Sequence, residues 1–412
     1  MPAGRDGGSG PRPPFPAGES KMRKSLLSIM LVLVLTAAGS AQSLSLALLQ
    51  HSTDNLFQTR YGEKDSVSHV SFSLDQPLRP FSFFTEGAYA YLAENSRISF
   101  YTQEAGLDYL QAAGDKTALY ASVKAGGAIY REDYKDFNHF SLGFLGAVKS
   151  YLTPSSILKL TYAFNYKAYP VDRFDFHSHL VTFSADKYLT TRTTLKAEGV
   201  FGYKYFLHPF TTDSTITTTT EPGGSGSGRG RGGSLIGQTG SLLVADGARQ
   251  GSGLQTASVS GLVAQGLGDK LGIRLSGFRQ WTLSGKNPFG SIAEFYMVEN
   301  PTYDVFSWNG HGFSGEATVE APWNTQLKLG YTRSVKRFPG IEAVDLEGIS
   351  LGLLRRDTRN QWEARLKKDF TAFTLHAFYS YINNISNDPL FEWKGHFLGV
   401  SVEWRLNWSK GR

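Results

Sequence analysis

Apolar and polar residues alternate along most of the chain after residue 43. In 158–167, one face of the alternation carries only apolar or aromatic side chains: Leu158, Leu160, Tyr162, Phe164 and Tyr166. Residues 362–367, 373–381 and 398–408 repeat the pattern. A period of two places successive side chains on opposite faces of a β-strand, whereas a helix repeats about every 3.6 residues. No convincing helical repeat follows residue 43, so the sequence predicts an all-β fold.

The alternation predicts sixteen strands, with boundaries set to within a few residues. They are 43–51, 66–75, 79–91, 97–110, 116–129, 137–151, 156–168, 176–188, 192–206, 253–267, 270–283, 309–321, 324–335, 357–369, 372–384 and 393–407. A further strand within 345–355 is the alternative that would change the count.

The predicted connections alternate in length along the chain. Every second one is short: 76–78, 111–115, 152–155, 189–191, 268–269, 322–323 and 370–371. The intervening ones are mostly longer: 52–65, 92–96, 130–136, 169–175, 207–252, 284–308, 336–356 and 385–392. Short turns on one side and long loops on the other are typical of transmembrane barrels. We therefore predict a closed antiparallel transmembrane β-barrel of about sixteen strands. A pair of soluble β-sandwiches divided at 207–252 is the alternative fold.

Tyrosine and tryptophan residues cluster near the ends of the predicted strands. At the long-loop ends lie Tyr89, Tyr91, Tyr130, Tyr166, Tyr203, Tyr205, Trp281, Tyr331, Tyr379 and Tyr381; at the short-turn ends lie Tyr151, Tyr188, Trp404 and Trp408. Both residue types favour the membrane–water boundary, where one part of the side chain is apolar and another is hydrated. The clustering favours two aromatic girdles, although tyrosine is also a common strand residue.

The first forty residues carry targeting information. Arg23 and Lys24 precede an apolar stretch over 26–38, and small residues lead to a cleavage position after Ala41. These features predict a signal peptide over 22–41, preceded by an N-terminal extension over 1–21 with Met22 as the natural start. Residues 42–412 then form one barrel domain. Within it, the Thr-, Gly- and Ser-rich loop 207–252 is of low complexity and cannot bury apolar surface.

The closing strand has the most specific pattern. Gly399 is followed by an alternating apolar series: Val400, Val402, Trp404, Leu406 and Trp408. This series resembles the β-signal of Gram-negative outer-membrane β-barrels, and Gly399, Trp404, Leu406 and Trp408 are the candidate signal residues. The resemblance, to the porin-like class and to no specific family, implies the outer membrane as location. It also implies contact with outer-membrane lipid and lipopolysaccharide, recognition by the barrel-assembly machinery, and a homotrimer as a candidate assembly.

Composition narrows the chemistry further. The chain contains no cysteine, which excludes disulfides, thiolate metal sites and cysteine nucleophiles. The net charge of +6 includes a contribution from residues 1–41 and is too small to indicate nucleic-acid binding. We predict no cofactor, no metal site and no enzymatic activity. The one candidate catalytic pair is His69 and Ser71, which share a strand face, and it supports an outer-leaflet lipid hydrolase only as an alternative.

The inward face of the predicted strands supplies a candidate pore lining. Its members are Lys124, Lys159, Lys196, Glu198, Arg274, Lys328, Glu363, Arg365, Glu403 and Arg405. Because bases outnumber acids in the predicted lining, we expect a porin-like passive channel for small hydrophilic solutes with a mild anion preference. A structural, adhesive or partner-binding surface barrel with a blocked lumen is the main alternative. Loop 284–308 or loop 336–356 is expected to fold inward as a constriction.

Overall fold

A computed structural model of the chain describes residues 43–170, 174–208, 253–285 and 304–407. The predicted extension 1–21, the predicted signal peptide 22–41, most of loop 207–252 and the candidate signal residue Trp408 lie outside these ranges.

The described residues form sixteen antiparallel strands that close into one barrel. The strands are β1 (Ser43–Thr53), β2 (Asp65–Leu78), β3 (Phe81–Leu92), β4 (Phe100–Ala112), β5 (Thr117–Tyr130), β6 (His139–Thr153), β7 (Ser156–Ala168), β8 (Phe176–Tyr188), β9 (Thr193–Phe206), β10 (Gly253–Leu267), β11 (Leu271–Ser284), β12 (Asn309–Ala321), β13 (Thr325–Val344), β14 (Ser350–Asp369), β15 (Phe373–Ser386) and β16 (Trp393–Asn407). Each strand pairs with its sequence neighbours, and β1 also pairs with β16, so the sheet has no free edge. The prediction of a closed sixteen-stranded barrel is confirmed.

Short 3₁₀ helices lie in three of the longer connections, at Ser96–Ile98, Glu132–Phe137 and Pro389–Phe391. Within the described ranges, no helix is both long enough and apolar enough to cross a membrane.

The register assigns strand residues to two faces of the wall. Leu48 pairs with Val70 and Val402, and all of these side chains lie on the outer face. Ala47 pairs with Ser71 and Glu403 on the opposite face. The same alternation continues around the closed sheet because a strand turns its side chains in and out with a period of two.

Strands β13 and β14 differ from the prediction. The sequence predicts a long loop over 336–356, but β13 continues to Val344 and β14 begins at Ser350. Pro339 and Gly340 are a typical turn pair, yet here they lie in an irregular stretch where the register between the strands shifts. The alternative strand within 345–355 is therefore the first part of β14, and the count stays at sixteen.

Three members of the predicted aromatic girdles lie on the inner face instead. Tyr130 packs on Phe100 and Phe137, with ring centroids 5.1 and 5.6 Å away. Tyr151 lies on the face of Lys149, whose ammonium is 4.8 Å from its ring centroid. Tyr188 pairs with Thr194 on the inner face. The sequence marks these residues as close to strand ends, but the register decides which face they occupy.

Candidate functional site

The outer wall of the barrel is apolar over the middle of the strands. Exposed side chains on it include Leu48, Val70, Val123, Phe144, Phe183, Val259, Leu275, Leu329 and Leu398. Their exposed fractions reach 57% for Val123, 59% for Leu275 and 60% for Leu398. A continuous apolar surface of this kind needs a hydrocarbon environment, and a closed barrel satisfies its backbone hydrogen bonds there. The protein is an integral outer-membrane β-barrel.

The inner wall is polar, and β14 is its most highly charged strand. Every second residue of β14 from Arg355 faces inward, and each of them is charged or polar: Arg355, Asp357, Arg359, Gln361, Glu363, Arg365, Lys367 and Asp369. Lys328 and Lys336 of β13 lie on the same face, opposite Arg365 and Asp357. We call the inner faces of β13 and β14 the charged track. It runs along the lumen from the long-loop end toward the short-turn end.

The register brings all ten predicted lining residues to the inner face, and most of the bases among them are paired. Lys124 bonds Glu104 at 2.6 Å, and Lys196 bonds Glu198 at 2.8 Å. The other two pairs are Arg365 with Glu363 and Arg405 with Glu403. All four pairs are partly exposed, so each contributes roughly 0–1 kcal/mol to stability. Their main effect is to reduce the local excess of positive charge.

Three predicted bases have no ion pair among the described residues: Lys159, Arg274 and Lys328. Lys159 lies opposite Lys149 on β6, and Lys328 lies opposite Arg365 on β14. Arg274 lies opposite Glu316 on β12. Like charges that face each other across a sheet raise the local positive potential, whereas Glu316 lowers it near Arg274.

Several acids on the inner wall were not predicted from the sequence. Glu104, Asp108, Asp186, Glu316 and Glu320 all lie on the inner face in the observed register. The inner wall is therefore closer to charge balance than the sequence predicts, and the excess of bases lies on the charged track. Glu104 and Asp108 occupy even positions of β4, whereas Leu107 and Tyr109 occupy odd positions. This alternation of acidic and apolar residues in the sequence identifies Glu104 and Asp108 as inward residues.

Aromatic residues fill part of the lumen at the long-loop end. We define the mouth cluster as Tyr169, Phe174, Phe176, Phe206, Leu254, Phe306, Trp308, Phe338 and Ile341, all buried and in mutual contact. Phe306 and Trp308 come from the end of predicted loop 284–308, and Phe338 and Ile341 come from predicted loop 336–356. Both loops expected as alternative constrictions thus contribute to one apolar cluster.

A buried ion pair lies within the mouth cluster. Lys204 Nζ lies 3.6 Å from Asp304 Oδ2, and these side chains are only 1% and 3% exposed. The ammonium also lies 4.1 Å from the ring centroid of Phe176 and 5.2 Å from that of Phe206. Asp304 accepts a hydrogen bond from the Phe306 backbone N–H at 3.1 Å. A pair this deeply buried holds segment 304–308 against the inner wall, because separating the two charges would remove a close electrostatic contact from each.

A second buried network lies at the loop end of β14. The Arg355 guanidinium donates to Asp357, with Nε and Oδ1 3.1 Å apart, and stacks 3.4 Å from the ring centroid of Phe391. Asp388, which is fully buried, accepts hydrogen bonds from the backbone N–H groups of Leu390 and Val344. The network ties the connection between β15 and β16 to the extended β13–β14 hairpin.

Asp388 gives this connection a pH dependence. Burial raises the pKa of its carboxyl group above the usual range, and the nearby Arg355 charge only partly opposes the shift. Because the folded state then holds the proton more tightly than the unfolded state, the contribution to stability is complete below about pH 4 and is lost as the pH rises.

The intrinsic rate of amide hydrogen exchange rises with pH in any protein. For residues 387–392 we expect the exchange rate to rise more steeply than this intrinsic rate, because the connection loses stability as Asp388 ionises. In Asp388→Asn, this additional dependence should disappear, and its persistence would contradict the assignment.

The first long loop also reaches the charged track. Gln58 Oε1 accepts a hydrogen bond from Arg359 Nη1 at 3.1 Å, and these residues line a cavity of about 270 Å³. A larger cavity of about 840 Å³ lies against β1 to β6 and β16, where Ala47, Lys124 and Arg405 line it. Gln58 and Arg359 were missed in the sequence analysis, because a contact between a loop and a distant strand leaves no local signal.

The remaining sequence candidates have clear positions. His69 and Ser71 both lie on the inner face of β2, and no hydrogen bond joins them. Of the candidate assembly-signal residues, Trp404 and Leu406 lie on the outer face of β16. Gly399 lies on its inner face against Phe378, and a Cβ atom there would come within 2.5 Å of the Phe378 ring. Gly399 therefore makes room for this ring, and its role in assembly stays a prediction.

Comparison with known proteins shows likeness in architecture alone. No protein-family model matches the chain, and no curated protein matches it in sequence. CdiB from Acinetobacter baumannii is 11% identical, with 88% of this chain and 60% of that chain covered and a TM-score of 0.48. The chain thus spans less than two thirds of CdiB. Acinetobacter baumannii OccAB1 is 9% identical, with 89% and 96% covered and a TM-score of 0.47. Pseudomonas aeruginosa OccK8 (OprE) is 10% identical, with 88% and 97% covered and a TM-score of 0.48. Likenesses this weak say nothing about substrate or mechanism.

Proposed function

We propose that the protein is a porin-like passive channel through which small hydrophilic solutes diffuse. The observation that carries the proposal is the charged track. From Arg355 to Asp369, no inward side chain of β14 is apolar, and such a wall is costly unless water hydrates it. The cavities of about 840 and 270 Å³ against the inner wall provide room for that water. No cofactor or energy source is needed for diffusion through a hydrated lumen.

The proposed channel prefers anions mildly. The preference comes from the charged track, where Lys328 and Arg365 lie opposite each other and only Arg365 has an ion pair with an acid. The acids Glu86, Glu104 and Asp108 lie on β3 and β4, and they moderate the overall potential. Fixed charges along a water-filled path select permeating ions by local potential, so the bases of the track favour anions.

Reversing the charge of Lys328 should change the ion selectivity of the channel. In Lys328→Glu, a base without an ion pair is replaced by an acid, which lies opposite Arg365 on the charged track. We expect the anion-to-cation permeability ratio to fall about two- to fivefold, the range that ~0.5–1 kcal/mol of electrostatic energy produces. The measurement is the reversal potential of the folded protein in a planar bilayer across a salt gradient.

Lys187→Gln is the matched control for this experiment. Lys187 lies on the outer face of β8, where it donates hydrogen bonds to Ser155 and Ser156, and it does not face the lumen. The reversal potential of the Lys187→Gln variant should equal that of the unchanged protein. A clear cation preference in the unchanged protein would refute the anion preference, and equal shifts in both variants would refute the role of the track.

A barrel with a blocked lumen is the second candidate function, and the mouth cluster favours it. Nine buried residues with the Lys204–Asp304 pair fill part of the lumen at the long-loop end. Such a barrel would serve as a structural or adhesive surface protein. Single-channel recording separates the two candidates: stepwise conductance supports the channel, and silence from correctly folded protein supports the blocked barrel.

Three further expectations stay predictions. They are passage through the barrel-assembly machinery, a homotrimeric assembly, and the absence of enzymatic activity. For the last, the inward positions of His69 and Ser71 lend no support to an outer-leaflet hydrolase, because lipid contacts the outer face. Ser71→Ala is expected to leave any lipase activity of the purified protein unchanged.

A further inference from the structure

Basic residues lie on the outer wall of the barrel at its long-loop end, where no channel function requires them. Arg279 of β11, His311 of β12, Arg333 and Arg337 of β13, and Arg356 of β14 are exposed. Four adjacent strands thus carry one continuous patch, which we call the basic band. All its members lie on the face that also carries Leu275, Phe313 and Leu329.

The basic band has a defined height on the wall. Along β13 toward the loops, the outward residues run from Leu329 to Tyr331, then Arg333, Val335 and Arg337. Tyr331 packs against Trp362 with ring centroids 4.4 Å apart and the ring planes tilted by 42°, and both side chains face outward. Tyrosine and tryptophan rings mark the boundary of the hydrocarbon core. The band begins one outward position beyond these rings, at the level of the lipid headgroups.

Two members of the basic band oppose each other without an acid between them. Arg337 and Arg356 are paired directly across β13 and β14, on the same outward face. Like charges in this position destabilise a sheet. In the observed register, no Asp or Glu of the sixteen strands lies on the outward face up to the irregular stretch after Arg337. The nearest outward acid of the hairpin is Glu342, which pairs with Leu354 within the irregular stretch, so Arg333, Arg337 and Arg356 together carry an excess of positive charge.

Neighbouring side chains hold the band in an anion-binding arrangement. Arg279 Nη1 donates to His311 Nδ1 at 3.0 Å, and its guanidinium lies 5.9 Å from the ring centroid of Trp281. Because arginine is always a donor, His311 accepts through Nδ1 and keeps an N–H at Nε2. Asn360 lies opposite Arg333 and accepts a hydrogen bond from the Tyr331 hydroxyl, so its amide N–H groups remain as donors beside Arg333.

The opposite part of the wall has a different composition at the same end. There the outward residues of β7, β8 and β9 include Tyr162, His177, His179, Tyr203 and Tyr205, which stack and hydrogen-bond with one another. No arginine lies among them. The arginines of the band therefore have no counterpart on β7 to β9, whereas a general ring of snorkelling side chains would place basic residues there as well.

We propose that the basic band is a binding site for the phosphate groups of a phosphorylated glycolipid in the outer leaflet, namely the lipid A part of lipopolysaccharide. One planar guanidinium group can bind two phosphate oxygens at once. Several such groups on adjacent strands match a headgroup that carries more than one phosphate. The apolar wall beneath the band, with Leu275, Phe313 and Leu329, takes the acyl chains. This site exists whether or not the lumen conducts ions.

Native mass spectrometry of the folded, detergent-purified protein tests the proposal. Bisphosphorylated lipid A is titrated against the unchanged protein, Arg333→Gln/Arg356→Gln and the control Lys187→Gln/Lys368→Gln, whose lysines lie on the outer face at the short-turn end. We expect the Arg333→Gln/Arg356→Gln affinity to fall about tenfold or more, since charge-assisted bonds to two guanidinium groups are lost. The control variant should bind within about twofold of the unchanged protein.

Two further probes identify the chemical group and its source. Lipid A without its phosphates should bind the unchanged protein weakly, and phosphatidylglycerol should fail to displace bisphosphorylated lipid A at equal concentration. Equal binding by the Arg333→Gln/Arg356→Gln variant, equal binding of phosphate-free lipid A, or displacement by phosphatidylglycerol would each overturn the proposal. Folding of each variant is verified on an SDS gel, where a folded barrel migrates differently before and after heating. If the double variant does not show this difference, the single variant Arg333→Gln replaces it.

Discussion

Replacing Lys204 by methionine is expected to loosen the mouth cluster more than any other single change on the inner wall. The substitution removes the ammonium group from a buried ion pair and leaves the Asp304 carboxylate in place, a change that costs about 3–5 kcal/mol. The Phe176 and Phe206 rings lose their contact with the ammonium as well. We expect the free energy of local opening at segment 304–308 to fall by this amount, measured as faster hydrogen exchange of the Phe306 amide.

Two variants keep this prediction specific. Lys196→Met removes the cation of an exposed pair on the same strand, where Lys196 and Glu198 are 38% and 29% exposed, and should cost at most about 1 kcal/mol. The double variant Lys204→Met/Asp304→Asn removes both buried charges and should recover most of the loss. Exchange in Lys204→Met equal to that in Lys196→Met, or a double variant less protected than the single one, would contradict the role of the pair.

An opening of the mouth should also be visible in function. Because segment 304–308 belongs to the cluster that narrows the lumen, Lys204→Met is expected to show larger or noisier conductance steps than the unchanged channel. The effect of Lys204→Met on local stability does not require the lumen to conduct ions. The hydrogen-exchange result therefore stands even if no conductance is recorded.

Replacing Leu48 by arginine is expected to destabilise the barrel by about 2–4 kcal/mol, the cost of placing this charge on the lipid face near the bilayer midplane. Leu48 is the central residue of β1 and is 45% exposed on the outer wall. It also lies at the closure of the sheet, between Val70 and Val402. Urea unfolding of the protein in lipid vesicles measures the change.

The neighbouring substitution Ala47→Arg is the matched control. Ala47 lies one residue away on β1 and faces the cavity of about 840 Å³, where a hydrated arginine has room. We expect a change within roughly 1 kcal/mol, as for a single exposed charge. If Ala47→Arg proved the more damaging of the two, the register of β1 would be shifted by one residue and the assignment of both faces would be wrong.

Strand number, strand order and the face of most residues were predictable from the sequence. Alternation with a period of two is a local property, and residues 158–167 carry it without reference to any other part of the chain. The alternation of short and long connections then requires antiparallel neighbours. The positions of Lys124, Lys159 and Arg274 on the inner face follow from these two patterns together.

The pairing of charges was decided by the tertiary structure, because cross-strand partners lie far apart in the chain. Glu104 pairs with Lys124 across β4 and β5, and Lys204 meets Asp304 across a loop outside the described residues. The extended β13–β14 hairpin also escaped prediction, since Pro339 and Gly340 have the chemistry of a turn but lie within an irregularity of the hairpin.

The sequence by itself therefore determined a cylinder with an apolar outer wall and a polar inner one. Only the closed structure decided that aromatic residues from two loops meet inside the mouth, and that basic residues from four adjacent strands form one outward band. Local periodicity fixes which way a side chain points. The register between strands fixes which side chains become neighbours, and that register depends on contacts formed across the whole sheet.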